Sequence, residues 1–337
     1  MISLGGNGKM KILVIGLGSM GKRRIRLLQI INQDMEIIGV DSDVERMKQV
    51  EEEFGIEVRE SLDGALSEHG IGCAVISTSP LSHASIIHKC LQAGIHVFTE
   101  LNLVPDMYPE NIHLAEQKNL VLFLSSTFLY RDETKYIIEE VSRASSPLNY
   151  SYHVGQYLPS WHPWEMYRNF FVGDKRTNGC REIFAIELPW LVKAFGEIQS
   201  FHVMKSKNTS LDIDYDDNYI LLLEHSSGNK GMLAVDVMSR KAVRNLEVFG
   251  ENLYLSWDGT PEGIQKYDYE NGAVEKINLY QKVDKLAGYS DFVVENAYKN
   301  ELASFLEAIH EKNSKRMIYT FQDDLEILKV IDEIEGN

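Results

Sequence analysis

Lys11-Ile12-Leu13-Val14-Ile15-Gly16-Leu17-Gly18-Ser19-Met20-Gly21 is the stretch on which the fold turns. The apolar run reads as a buried strand, and the glycines that follow open a helix. That setting makes an otherwise weak GxGxxG spacing informative. Gly16 permits the tight turn, Gly18 lets the backbone approach a pyrophosphate, and Gly21 allows the helix to pack closely on the strand. Ser19 and Met20 begin that helix, whose N-terminus faces negative charge. Asp41 ends the next strand twenty residues beyond Gly21 (41 minus 21). A carboxylate there accepts hydrogen bonds from ribose hydroxyls and repels a 2'-phosphate, which points to NAD rather than NADP. Arg46 nearby keeps NADP open, and helix capping is the competing role for Asp41.

Working outward, short apolar runs alternate with helical patterns: EIIGVD, a charged helix to Phe54, the short IEV of 56–58, CAVIST, a helix from Ser82 to Ala93, IHVFTE, a helix over 112–118 and LVLFLS near Ser125. Six strands with crossover helices predict a doubly wound α/β Rossmann sheet over residues 1–125. After Arg131 the texture changes. A helix to Arg143 leads into NYSYHVGQY and then period-two runs, FHVMKSK, NYILLLEHSS, GMLAVDVMS and NLEVFGENLYLSW. These predict an α+β domain over 126–337 with a mainly antiparallel open sheet. Tyr298, Leu302, Phe305 and Ile309 mark one face of a helix, and a last helix runs near Asp323 to Glu335.

With 337 residues, 34 basic against 50 acidic side chains and formal net charge -16, the chain has room for two cores. No basic run stands out, which argues against a nucleic-acid partner. No stretch approaches the length needed to span a bilayer and the first residues lack a signal peptide's apolar core, so a cytoplasmic location is expected. Cys73, Cys90 and Cys180 show neither disulfide nor zinc spacing and read as buried reduced thiols, and no metal site is expected.

Thr78-Ser79-Pro80-Leu81-Ser82-His83, followed by AGIHVFTE, together with the glycine loop resembles the Gfo/Idh/MocA family, named for glucose-fructose oxidoreductase and inositol dehydrogenase. The resemblance covers most of the chain. It implies a sugar, sugar derivative or sugar nucleotide as substrate, and a homo-oligomer assembled through the open face of the second sheet. It places Thr78, Pro80 and His83 along the nicotinamide half of the cofactor site and makes Glu100 the acid of a Glu-Lys-Pro signature. Here that signature reads Glu100-Leu101-Asn102. Leucine cannot relay a proton and Asn102 does not titrate, so the family's usual acid/base lysine is missing. A second signature, glycine-rich with an aspartate and then a histidine, falls near 178–187. Glu182 takes roughly the aspartate's place, and Glu187 or Ile186 the histidine's.

The proton partner for hydride transfer is then sought among Glu182, Glu187, His153 and His162. Glu182 and Glu187 are five residues apart, roughly 140° around a regular helix, and need not share a site. Trp161, in an aromatic loop, suits a sugar ring, with packing over the sheet edge as the plain alternative. Arg181 suits a substrate carboxylate or phosphate. Tyr130 and Arg131 suit substrate or cofactor-edge contacts, or equally a domain-junction ion pair. Two functions stay open: an NAD-dependent sugar oxidoreductase with an atypical proton relay, or a non-catalytic NAD-binding sensor or accessory protein that keeps the fold.

Overall fold

A computed structural model describes residues 10–161, 165–284, 292–311 and 317–336. The chain divides into two compact units. The first runs to Ser126 and takes back Tyr298–Leu328, and the second holds Thr127–Ala297 and the residues from Lys329 onward.

In the first unit β1 (Lys11–Ile15), β2 (Glu36–Val40), β3 (Glu57–Arg59), β4 (Ile71–Ile76), β5 (His96–Thr99) and β6 (Leu122–Leu124) form a parallel sheet in the order β3-β2-β1-β4-β5-β6. The crossovers are α1 (Ser19–Ile31), α2 (Val44–Phe54), the short α3 (Leu62–Leu66), α4 (Pro80–Gln92) and α5 (Tyr108–Lys118). The sheet is therefore the doubly wound one the alternation predicts, and its order reverses between β1 and β4, where such folds bind ligands. Ile12, Leu13, Val14, Ala74, Val75 and Val97 are buried, as strands covered on both faces require.

The division at 125/126 expected from sequence assigns the whole tail to the second domain. The structure splits that tail, because α8 (Glu295–Glu311) and the start of α9 (Phe321–Glu335) complete the first core. Phe305 packs edge-on against Phe98 and Phe123, at ring-centre distances of 5.6 and 5.8 Å. Asp324, buried, accepts hydrogen bonds from Tyr108 (2.5 Å) and Tyr319 (2.8 Å).

In the second unit eight strands run in the order β14-β13-β12-β11-β7-β10-β9-β8. They are β7 (Asn149–Gly155), β8 (Ile198–Ser206), β9 (Asn218–His225), β10 (Lys230–Asp236), β11 (Val243–Phe249), β12 (Tyr254–Trp257), β13 (Gln265–Asp268) and β14 (Ala273–Lys276). Every pairing is antiparallel except β7 with β10. α6 (Asp132–Ser142) precedes the sheet and α7 (Gly179–Phe195) covers one face. α7 is apolar almost all round, as a buried helix is. Asn178 caps it by accepting from the Arg181 amide, and Gly196 ends it at φ +99°. Trp190 meets Tyr152 and Trp257, Phe184 meets Tyr219, and Phe195 stacks on Tyr150. The alternation that buries Leu221, Leu223, Leu233 and Val235 turns Ile220, Leu222 and Met232 outward beside exposed Met204. Among the described residues no helix is long and apolar enough to cross a membrane.

Candidate functional site

The loop after β1 is built by glycine for two reasons. Gly16 has φ +89°, and a Cβ there would sit 2.7 Å from the Ser77 carbonyl oxygen; one on Gly21 would sit 1.9 Å from the Gly16 carbonyl oxygen. The protein's own backbone excludes side chains at both. A Cβ on Gly18 would meet nothing within 4 Å. Gly18 therefore leaves open space over the start of α1, where no acidic side chain occupies the first turn and no side chain caps the helix. That is the room and polarity a pyrophosphate needs. Asp41 lies beside it. One carboxylate oxygen accepts from the Leu17 amide (2.7 Å), the other from the Asp43 amide (2.9 Å), and Arg46 approaches to 4.0 Å. A carboxylate has about four acceptor positions, so two remain for hydroxyls while the loop stays tethered. Capping of α2 falls to Asp43 instead.

Farther along the same unit, the residues expected along the cofactor make contacts within the protein. His83 is buried, with Nδ1 2.6 Å from Asn102 Oδ1 and Nε2 2.9 Å from the Thr78 carbonyl oxygen. Burial lowers its pKa, and the ring bridges Asn102 and the Thr78 backbone. Asn102 is also buried. Thr78 keeps its hydroxyl close to Ser82 (2.7 Å), and Pro80 begins α4. Glu100 is gripped at both oxygens by Arg24, at 2.5 and 2.9 Å, and Arg24 in turn reaches Glu301 at 3.0 Å. Burial raises the Glu301 pKa. Glu100 is thus a partner in a buried ion cluster that ties α1 to α8. Leu101 is half-buried beside it.

In the second unit the two glutamates of α7 have separate fates. Glu187 is wholly buried and accepts from Tyr152 (2.7 Å), Trp190 (2.7 Å) and Arg244 (2.6 and 3.0 Å). All four of its acceptor positions are taken up by these donors. Glu182, in the first turn, has a buried carboxyl oxygen with no hydrogen-bond partner among the described residues, and burial pushes its pKa up to about 8. It opens onto a cavity of about 180 Å3 lined by Gln156, Trp161, Ile186, Arg244 and Phe292, among others. Trp161 is held there by its indole N–H, which donates to the Gln156 carbonyl oxygen at 3.1 Å.

The remaining expected residues lie elsewhere. His153 is on β7 with Tyr152, but alternation sends its side chain to the open face, where Nε2 sits 2.7 Å from Asp236. Arg181 is spent on Asp332 and Glu335 and does not face the cavity. Arg131 is buried against Glu133, donates to the carbonyls of Phe292 and Gly259, and lies over Trp257. Tyr130 is buried with it. His162 lies outside the described residues. The three cysteines are buried free thiols, with burial raising Cys73 and Cys90 to about 12. Arg244 and Phe292 are among the lining residues that the sequence did not suggest. Arg244 stands four residues after Arg240, with Lys241 and no carboxylate between them.

A parallel sheet in the order 3-2-1-4-5-6, a glycine loop at its switch point and an acid ending β2 define a dinucleotide-binding oxidoreductase unit. Residues 10–126 match the Gfo/Idh/MocA family model described as "Oxidoreductase family, NAD-binding Rossmann fold". Inositol 2-dehydrogenase of Renibacterium salmoninarum is 31% identical over 98 residues, a span covering 29% of this chain and 30% of that relative. Solved structures of similar fold match nearly end to end. UDP-N-acetylglucosamine 3-dehydrogenase from Acidithiobacillus ferrooxidans aligns with TM-score 0.74 and 17% identity, covering 98% of this chain and 97% of that one. A levoglucosan dehydrogenase in complex with NADH aligns with TM-score 0.79 and 14% identity, covering 98% and 96%.

Proposed function

We propose that the protein is an NAD-dependent dehydrogenase that oxidises a CH–OH group of a carbohydrate or reduces the corresponding ketone, with Glu182 as the proton-carrying group. The observation that supports this most is the Glu182 carboxyl, one oxygen of which is buried with no hydrogen-bond partner among the described residues, on a side chain lining a cavity beside an indole. A carboxyl with its pKa near about 8 can hold or release a proton at working pH. The substrate hydroxyl gives its proton to the Glu182 carboxylate in the oxidative direction and recovers one from the acid in reverse. Trp161 offers a flat face to the sugar ring, and Glu187 keeps Arg244 in place along the cavity wall. A nicotinamide, when bound, takes or supplies the hydride. Gly18 and Asp41 would hold its dinucleotide, and Asp41 favours NAD over NADP. Activity should appear with NADH and be much weaker with NADPH. Glu182→Gln should lower turnover by about 10²-fold or more with NADH affinity unchanged. Undiminished turnover would remove Glu182 from the chemistry.

The rival reading, an NAD-binding sensor without chemistry, is favoured by Leu101 at the place of the family's lysine. Leu101→Lys separates the two: gain of turnover from a dead protein supports the sensor, whereas disturbance of existing turnover supports the working relay. The outward apolar side chains of Met204, Ile220, Leu222 and Met232 support self-association through the open sheet face. Leu222→Asp should shift the purified protein to monomer in sedimentation equilibrium.

A further inference from the structure

Between Asp236 and Glu247 the chain carries Arg240, Lys241 and Arg244 and no carboxylate, a local reversal in a protein of formal net charge -16. The neighbouring charges are accounted for. Arg244 is paired with Glu187, and Asp236 is occupied by His153, Ser239 and the Met238 amide. Arg240 and Lys241 are exposed and make no ion pair with any described residue. Arg240 is nevertheless ordered: its guanidinium lies 3.6 Å from the centre of the Tyr157 ring. Such stacking uses the flat face of the group and leaves the N–H edges to donate.

This stack adjoins the Glu182 cavity through both of its partners. Tyr157 follows lining residues Gly155 and Gln156, and Arg240-Lys241 precede lining residues Ala242, Val243 and Arg244. An anion beside this cavity would meet two unpaired cations. The one carboxyl in the lining is that of Glu182, whose pKa burial raises to about 8, so that it is mostly uncharged at pH 7.

We propose that the substrate is an anionic carbohydrate, whose ring occupies the Trp161–Glu182 cavity and whose phosphate or carboxylate substituent is bound by Arg240 and Lys241. The proposal rests on the reading of that cavity as the substrate site. It narrows the substrate class and makes Arg240 and Lys241 specificity-determining rather than catalytic.

The test is calorimetric titration of the full chain, saturated with NADH so that the glycine loop is occupied, with inorganic pyrophosphate and, separately, malonate at low ionic strength. At least one anion should bind, and its affinity should fall about tenfold or more in the double variant Arg240→Ala, Lys241→Ala. Added sodium chloride should weaken wild-type binding, as exposed charges require. Preference for pyrophosphate identifies a phosphoryl substituent, and preference for malonate a carboxylate. An unchanged melting temperature certifies that the double variant is folded. Equal affinity in wild type and variant, or no binding to the wild type, overturns the proposal. The outcome is separable from that of the dehydrogenase reading. A chain that binds no NADH sinks that reading, while the difference between wild type and variant can still be measured without cofactor.

Discussion

The glycine loop of the first unit and the glutamates of α7 in the second are both polar sites set in apolar cores, yet they are made in opposite ways. The loop works by omission. Gly16 and Gly21 are glycine because backbone atoms already fill the space of a side chain, and Gly18 because that space is left open. α7 works by supply: Glu187 receives four hydrogen bonds from three side chains, while Glu182, five residues earlier, has a carboxyl oxygen that receives none. A site made by omission tolerates no addition. In a site made by supply, the cost of a change depends on how many partners it strands.

That contrast can be broken first at the glycines. Gly21→Val forces Cβ into the Gly16 carbonyl and should destabilise the first unit by about 3 kcal/mol or more, with loss of NADH binding. Gly18→Val meets no protein atom. Its melting temperature should stay near wild type while NADH affinity falls, which fluorescence titration and thermal melting read separately. Equal destabilisation of the two variants would refute the division of roles.

The glutamates provide the second break. Glu187→Ala strands a buried Arg244 and should cost about 3–5 kcal/mol in denaturant unfolding. Glu182→Gln strands no partner and should leave stability at neutral pH equal or higher, since an amide never carries the charge that burial opposes.

The third test concerns pH. The folded-state pKa of Glu182 lies above its unfolded value, so the folded protein binds the extra proton. Its favourable contribution is fully present below the unfolded value of 4.5 and is lost as pH rises from there toward about 8. Wild type should therefore lose stability relative to Glu182→Gln across that window. Oxidative turnover should rise toward a midpoint near 8 as the carboxylate forms, and the reductive rate should fall. A flat profile through this range would place the proton elsewhere.

How much was legible follows the same contrast. The alternation from Lys11 to Ser125 is local, period two against period 3.6, and it yields the six parallel strands. Asp41 is legible because its distance from the glycines is set by one helix and one strand. Glu182 and Glu187 are not separable in sequence: the groups that satisfy Glu187 come from positions 35 and 57 residues away, Tyr152 and Arg244. His153 misleads for a related reason, since one step along β7 turns a side chain to the other face. The hairpin of β13 and β14 escapes notice because strands of four residues, exposed along most of their length, carry no apolar alternation. The helical period of the tail says which face is apolar but not what that face meets.

The splitting of that tail sets the order of events during synthesis. Residues 11–124 emerge from the ribosome with every strand of the first sheet present, yet Phe98 and Phe123 lack Phe305, and Arg24 holds Glu100 without Glu301. Residues 127–297 of the second unit must be translated before those partners appear. The nascent first unit therefore passes through a period with an apolar flank uncovered, a state open to chaperone capture and to aggregation. A protein truncated before Tyr298 would keep its glycine loop and its six strands, and would still be unable to finish its first core.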